Sequence, residues 1–205
     1  MDRFHVTKSL LEAWQYTFDC FEGCEEKAQE DFIRTLNRQP VEETEAMMNG
    51  RTFEDRVYRA ANGGTIRSDA KWRTGALAIA EIIRGAQIQV VARRDIEVDG
   101  MTFEVMGILD ALKAGTIYDV KFLNKSMGGM DLGGKYLNCS QHPAYFYIVP
   151  EAYEFQYLVS DGEDVYIETY RREQSRSIGE IIHDFLESIK AMGLMDLYKE
   201  KWLLP

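Results

Sequence analysis

Cysteine, histidine and long apolar runs are what this sequence has least of. Its 205 residues include three cysteines (Cys20, Cys24 and Cys139), an odd number that makes no disulfide framework. The three histidines (His5, His142, His183) are scattered, so neither a histidine metal centre nor a Ser-His-Asp triad is credible. No stretch approaches the roughly 20 apolar residues that a membrane helix needs. The first residues, Met1 to His5, lack the apolar core of a signal peptide. No internal repeat or low-complexity segment appears. These absences lead to the expectation of a reduced, cytoplasmic protein that makes no use of a membrane. What is present, 45% apolar and 28% charged residues, suits a globular chain and argues against disorder.

The net charge of −10 argues against a nucleic-acid partner until its distribution is considered. Residues 19–48 carry −6, residues 51–94 carry +5, and residues 151–205 again carry −6. A basic middle between acidic ends can still meet phosphates, although ordinary surface charge accounts for the pattern equally simply.

Periodicity divides the chain into helices, a strand meander, a helix, two strands and a helix. Residues 7–36 read as helical, with Thr7 as N-cap and Leu10, Leu11, Trp14, Phe18 and Phe21 on one stripe. A second helix spans about 43–61 and stops at Asn62-Gly63-Gly64; a third spans about 69–84. Residues 88–97, 102–113 and 116–123 read as strands joined by turns at Asp99-Gly100 and Ala114-Gly115. A glycine-rich loop (127–134) leads to a helix at 136–149. Strands at 154–160 and 164–171 precede a last helix at 177–203, with Ile178, Ile182, Phe185, Ile189 and Met192 on its stripe. The middle strands are apolar on both faces, which calls for cover on both sides. The expected architecture is one α/β domain over 1–205: a helical part to about 85, a mixed sheet with its helix over 86–172, and a C-terminal helix.

Three polar residues interrupt the apolar meander: Asp110, Asp119 and Lys121. Asp119 and Lys121, two apart on one strand, share a face. If Ala114-Gly115 is a two-residue loop, Lys113 pairs with Thr116 and Asp110 falls opposite Asp119, with Cβ atoms about 4.5–5.5 Å apart. Two carboxylates at about 4 Å repel by about 4 kcal/mol at an effective dielectric near 20. A cation between them relieves this, and hard carboxylate oxygens suit Mg²⁺ or Mn²⁺. A structural salt bridge through Lys121 is the competing reading. A third acid, Glu54, falls on the apolar stripe of the second helix with Met47, Val57, Tyr58 and Ala61. It either reaches the same cation or pairs with Arg51 or Arg56.

Gly107-Ile108-Leu109-Asp110, then nine residues on Asp119-Val120-Lys121, resembles the PD-(D/E)xK nuclease superfamily, with Leu109 where the family name has proline. Gln141-His142-Pro143-Ala144-Tyr145 is similar to the Gln-x-x-x-Tyr motif of the RecB-like and lambda-exonuclease-like branch. Gly50-Arg51-Thr52-Phe53-Glu54 is similar to its upstream Gly-x-x-x-Glu element. The resemblance covers about residues 50 to 145.

The resemblance implies a restriction-endonuclease-like core, a central mixed β-sheet flanked by helices, and metal-dependent hydrolysis of DNA phosphodiesters. Asp110, Asp119, Glu54 and the Val120 carbonyl would hold Mg²⁺ or Mn²⁺. Lys121 would position or activate the attacking water and stabilise the developing charge, and Gln141 and Tyr145 would orient the substrate strand or the lysine. An exonuclease or DNA-end-processing enzyme, of the kind phages and mobile elements encode for recombination or repair, is the leading expectation. A structure- or sequence-specific endonuclease and a non-catalytic binding module are the alternatives. Some relatives of this kind assemble into rings or pair with a single-strand annealing partner, so a homo-oligomer or an annealing or recombination partner is among the implications.

Lys125, Lys135, Arg51, Arg93 and Arg94 are the candidate phosphate contacts. Gly129 to Lys135 imitates the start of a P-loop, but Tyr136 stands where Ser or Thr is required. With Cys139 alone, no iron–sulfur cluster is expected.

Overall fold

The computed structural model describes residues 2–40 and 43–205. Six strands form one mixed sheet: β1 (Arg3–Thr7), β2 (Gln87–Val98), β3 (Met101–Lys113), β4 (Thr116–Phe122), β5 (Glu154–Ser160) and β6 (Val165–Arg171). Seven α-helices accompany them: α1 (Lys8–Asp19), α2 (Glu25–Leu36), α3 (Glu45–Ala61), α4 (Arg73–Ile82), α5 (Gln141–Ile148), α6 (Ile178–Ala191) and α7 (Met195–Trp202). The path is β1-β3-β4-β5-β6, with β2 on the other edge of β3. The β1–β3 and β4–β5 pairs are parallel and the rest antiparallel, so the mixed α/β architecture expected from sequence is the observed one. No helix among the described residues is long and apolar enough to cross a membrane.

The meander forms in the expected register. Both two-residue turns have positive φ at each position: 51° and 75° at Asp99-Gly100, 49° and 80° at Ala114-Gly115. That combination matches the twist of a two-residue hairpin. Ala114 has a Cβ in this left-handed region, at a cost of about 1 kcal/mol. The turn pairs Lys113 with Thr116, Leu112 with Ile117 and Ala111 with Tyr118.

Helices lie on both faces, as the doubly apolar strands require. The larger core joins α1, α2, α5, α6 and α7 to Ile117, Tyr157 and Val159; the smaller joins α3 and α4 to Val120 and Leu158. β2 and β3 change sides along their length. Val90 and Leu109 pack into the larger core, whereas Ile88 and Ala111, two residues away on the same strands, pack into the smaller. Gln89 and Asp110 lie at the crossover.

Several elements differ from the sequence reading. The helix expected over 7–36 is two helices, α1 and α2, preceded by the unexpected strand β1. Thr7 does cap α1, accepting from Leu10 N at 3.3 Å, but it also ends β1. Gly23 (φ 84°) separates α1 from α2. Phe18 and Phe21 are therefore not core: they are 63% and 78% exposed. α4 begins at Arg73 rather than 69, and α5 at Gln141 rather than 136, because the chain before α5 is held in successive turns. Gly193 (φ 71°) breaks the last helix in two and leaves Met192 exposed. On α3 the buried stripe is Phe53, Val57 and Ala60, and Met47 is exposed. The expected helix start near residue 43 moves to Glu45, capped by Thr44; Val41 and Glu42 lie outside the described residues.

Candidate active site

The centre of the molecule is a short length of β3 with an unusual edge. β2 runs along one edge of β3. The other edge pairs with β1 through Thr102–Met106 and with β4 only through Ala111–Lys113. Between these, Gly107 to Asp110 has no strand partner on that side among the described residues. Buried backbone groups there need partners from elsewhere. Tyr145 on α5 donates its hydroxyl to the Ile108 carbonyl at 2.9 Å. Its ring lies so close to Gly107 that a Cβ at that position would collide with it. Asp110 supplies the other partner. Its Oδ2 accepts from Val120 N at 2.8 Å, so a side-chain carboxylate replaces the next rung of the β3–β4 ladder.

Asp110 and Asp119 thus face one another across the end of the hairpin, as the two-residue turn implies, with the backbones splayed rather than paired. Asp119 and Lys121 share a face of β4, and Lys121 Nζ lies 2.6 Å from Asp119 Oδ2. Gln141, at the first position of α5, donates to Asp119 Oδ1. Glu54 approaches from α3, which packs against β4. Neither basic neighbour takes it: Arg51 pairs with Glu43, and Arg56 donates to the Lys71 carbonyl at 2.6 Å and lies over the Trp72 ring. The structure therefore gathers Glu54, Asp110, Asp119, Lys121, Gln141 and Tyr145 in one place.

The electrostatics show that these groups crowd one another. Burial, followed by the charges of Asp110 and Asp119, pushes the Glu54 carboxyl up to about 7. Burial and then Asp119 push Asp110 up to about 6, against the lowering effect of its bond from Val120 N. Burial alone would lower the Lys121 pKa; Asp119 overrides it and holds the ammonium protonated. One lysine does not neutralise three acids.

The donor set, three carboxylates with the Gln141 Oε1 buried and lacking a hydrogen-bond partner, suits a hard divalent cation. The acids are not drawn into a ready cage. Among the described residues no three His, Cys, Asp or Glu side chains converge closely enough to hold an ion. Lys121 occupies the position against Asp119 instead.

The expected phosphate contacts are distributed unevenly. Lys125 and Lys135, on the loop before α5, are near enough that Lys125 adds to burial in lowering the Lys135 pKa. Arg93 lies 4.0 Å from Glu104, and Arg94 donates to the Tyr147 carbonyl at 3.2 Å while stacking on that ring. Arg93 and Arg94 are thus engaged along β2, and Arg51 is engaged with Glu43.

Three further residues touch this centre that sequence reasoning did not assign to it. Tyr58, one turn after Glu54, buries its hydroxyl beside Asp110 without an acceptable hydrogen bond, and burial followed by Asp110 raises its pKa. The i, i+4 spacing from Glu54 was the available signal. Tyr136 stacks on Tyr157 with ring centroids 4.1 Å apart, and burial holds its phenol up at about 12 within reach of the Lys121 and Asp119 charges. Gln89 Nε2 donates to Asp110 Oδ1 at 3.3 Å.

No family model matches the chain, and no curated protein matches it in sequence. Solved structures do share its fold. The crystal structure of SSO0001 superposes with a TM-score of 0.53 at 11% identity, covering 92% of this chain and 75% of that one. The crystal structure of LHK-Exo in complex with dAMP superposes with a TM-score of 0.53 at 13% identity, covering 96% of this chain and 92% of that one. At such identities the likeness is one of fold: a six-stranded mixed sheet flanked by helices.

Proposed function

We propose that this protein is a metal-dependent DNA nuclease of the PD-(D/E)xK kind, acting on DNA ends. The observation that carries the reading is the pairing of Lys121 with Asp119, itself bonded by Gln141, with Asp110 and Glu54 near enough for the charges of neighbouring acids to raise their pKa values. Buried acids with raised pKa values beside a lysine mark a candidate functional site, and a cation or phosphate chemistry would use them. The likeness to LHK-Exo, an exonuclease held with dAMP, supports the same reading and the preference for ends.

In this mechanism Asp110, Asp119, Glu54 and the Val120 carbonyl would hold Mg²⁺ or Mn²⁺. Bound there, such an ion would supply Lewis acidity that offsets charge on the scissile phosphate and lowers the pKa of water. A water oxygen attacks phosphorus, the bond from phosphorus to the leaving oxygen breaks, and a proton ends on that oxygen. Lys121, paired with Asp119, would position or activate the attacking water by hydrogen bonding and stabilise the growing negative charge on the phosphoryl oxygens. Gln141 holds the Asp119 carboxylate in orientation, and Tyr145 fixes the backbone of β3 just ahead of Asp110. Lys125 and Lys135 would meet the phosphates of the bound strand.

The test is cleavage of linear and covalently closed circular DNA with Mg²⁺ or Mn²⁺, comparing the wild type with Lys121→Ala and Asp119→Ala. Degradation of linear DNA alone, lost with EDTA and with either substitution, is the expected result. Cutting of circles would replace the end-specific reading by an endonuclease with the same residues. Absence of any cleavage would sink the enzyme reading in favour of a binding module.

A further inference from the structure

We propose that Gln89 is a positioning residue for Asp110, built into a left-handed kink in β2 for that purpose; the inference rests on the nuclease reading of the site. Gln89, the third residue of the twelve-residue strand β2, has φ 54°. A residue with a Cβ rarely adopts that conformation, and glycine or asparagine would be the ordinary choice. The ladder breaks at the same point. Ile88 pairs with Ala111 and Val90 with Leu109, while Gln89 and Asp110 between them are unpaired.

A kink alone explains the change of face described above, but not the glutamine. Its side chain is exposed, so packing does not select it. What the side chain does is donate Nε2 to Asp110 Oδ1 at 3.3 Å. Val120 N holds the other oxygen at 2.8 Å. Both carboxylate oxygens of Asp110 are therefore fixed from opposite sides, one by β4 backbone and one by the β2 amide, which sets the plane of the carboxylate. Strain retained where a less strained residue would serve is the mark of a functional constraint. Residues that orient a metal-binding carboxylate in this way typically change metal affinity 10–100-fold when removed.

Gln89→Gly separates the two roles, because glycine keeps the kink and removes the amide. Mn²⁺ affinity is measured by titration calorimetry on the whole chain, alongside its melting temperature in EDTA and its turnover of linear DNA. The expected result is Mn²⁺ binding weakened about 10-fold or more, kcat lowered, and a melting temperature equal to or above that of the wild type. Gln89→Ala, which keeps the strain and loses the amide, should lose the same affinity without the gain in melting temperature. Unchanged Mn²⁺ affinity in Gln89→Gly, with wild type that binds Mn²⁺, would overturn the positioning role and leave the nuclease reading intact. A fall in both affinity and melting temperature would make the residue structural and overturn the role equally. Wild type that neither binds Mn²⁺ nor cleaves DNA would overturn both readings together.

Discussion

Replacing Asp110 by asparagine should stabilise the metal-free protein at pH 8 while abolishing cleavage. Burial, and after it the Asp119 charge, raise the Asp110 carboxyl from its ordinary 3.8 to about 6. For an acid whose folded pKa is raised, the associated stability is complete below pH 3.8 and is lost as pH rises through about 6. A shift over that interval corresponds to about 3 kcal/mol, which is the cost of ionised Asp110 in the fold at pH 8. Asparagine removes that cost. It keeps an acceptor for Val120 N, although a neutral acceptor is weaker by about 1 kcal/mol. The net gain is about 2 kcal/mol at pH 8, or roughly 4–8 °C in a chain of this size. At pH 4 both side chains are largely uncharged, and the gain should disappear or reverse slightly. Thermal melts of wild type and variant in EDTA at the two pH values make the comparison. A variant that melts below the wild type at pH 8, or one that gains equally at both values, would refute the crowding argument. Turnover of linear DNA should fall at least 100-fold in the same variant, as expected when a group that acts on the transition state is lost.

Lys121→Met should act in the opposite direction in the same melts. It leaves Asp119 buried without its 2.6 Å partner, and losing one member of a buried pair costs about 3 kcal/mol. Gly107→Ala drives a Cβ into the Tyr145 ring; about 1–3 kcal/mol of overpacking, lower turnover and a lower melting temperature should appear together. His142 is buried, and its pKa falls from 6.5 to about 4 for that reason. Its contribution to stability is complete above pH 6.5 and is lost as pH falls through about 4. His142→Phe, which can keep the stacking on Tyr170 at 4.3 Å, should therefore flatten the loss of stability between those values in a denaturant titration. If the acid limb is unchanged, the histidine is not its source.

The parts of this structure that the sequence revealed are those where misplacement is costly. Asp110, Asp119 and Lys121 stood out because a charge in a doubly buried strand must have a reason, and the gap and turn between β3 and β4 fixed their relative register. Glu54 stood out for the same reason on a helix. β1 was hidden because five residues carry little periodicity and their partner strand lies about a hundred residues away. The break between α1 and α2 was hidden because Phe18 and Phe21 continue the helical spacing while facing solvent, where an apolar side chain costs little. Gln89 and Tyr58 were hidden for complementary reasons. An exposed amide in a strand and a tyrosine on a helix stripe both satisfy ordinary patterns, so neither violates anything that pattern reading can detect. Only the positive φ of the one and the unpartnered hydroxyl of the other mark them, and both are properties of three-dimensional placement. The acids of such a centre are therefore legible from the penalty of burying them, whereas the residues that aim those acids are legible only from the strain and unsatisfied atoms that the fold tolerates around them.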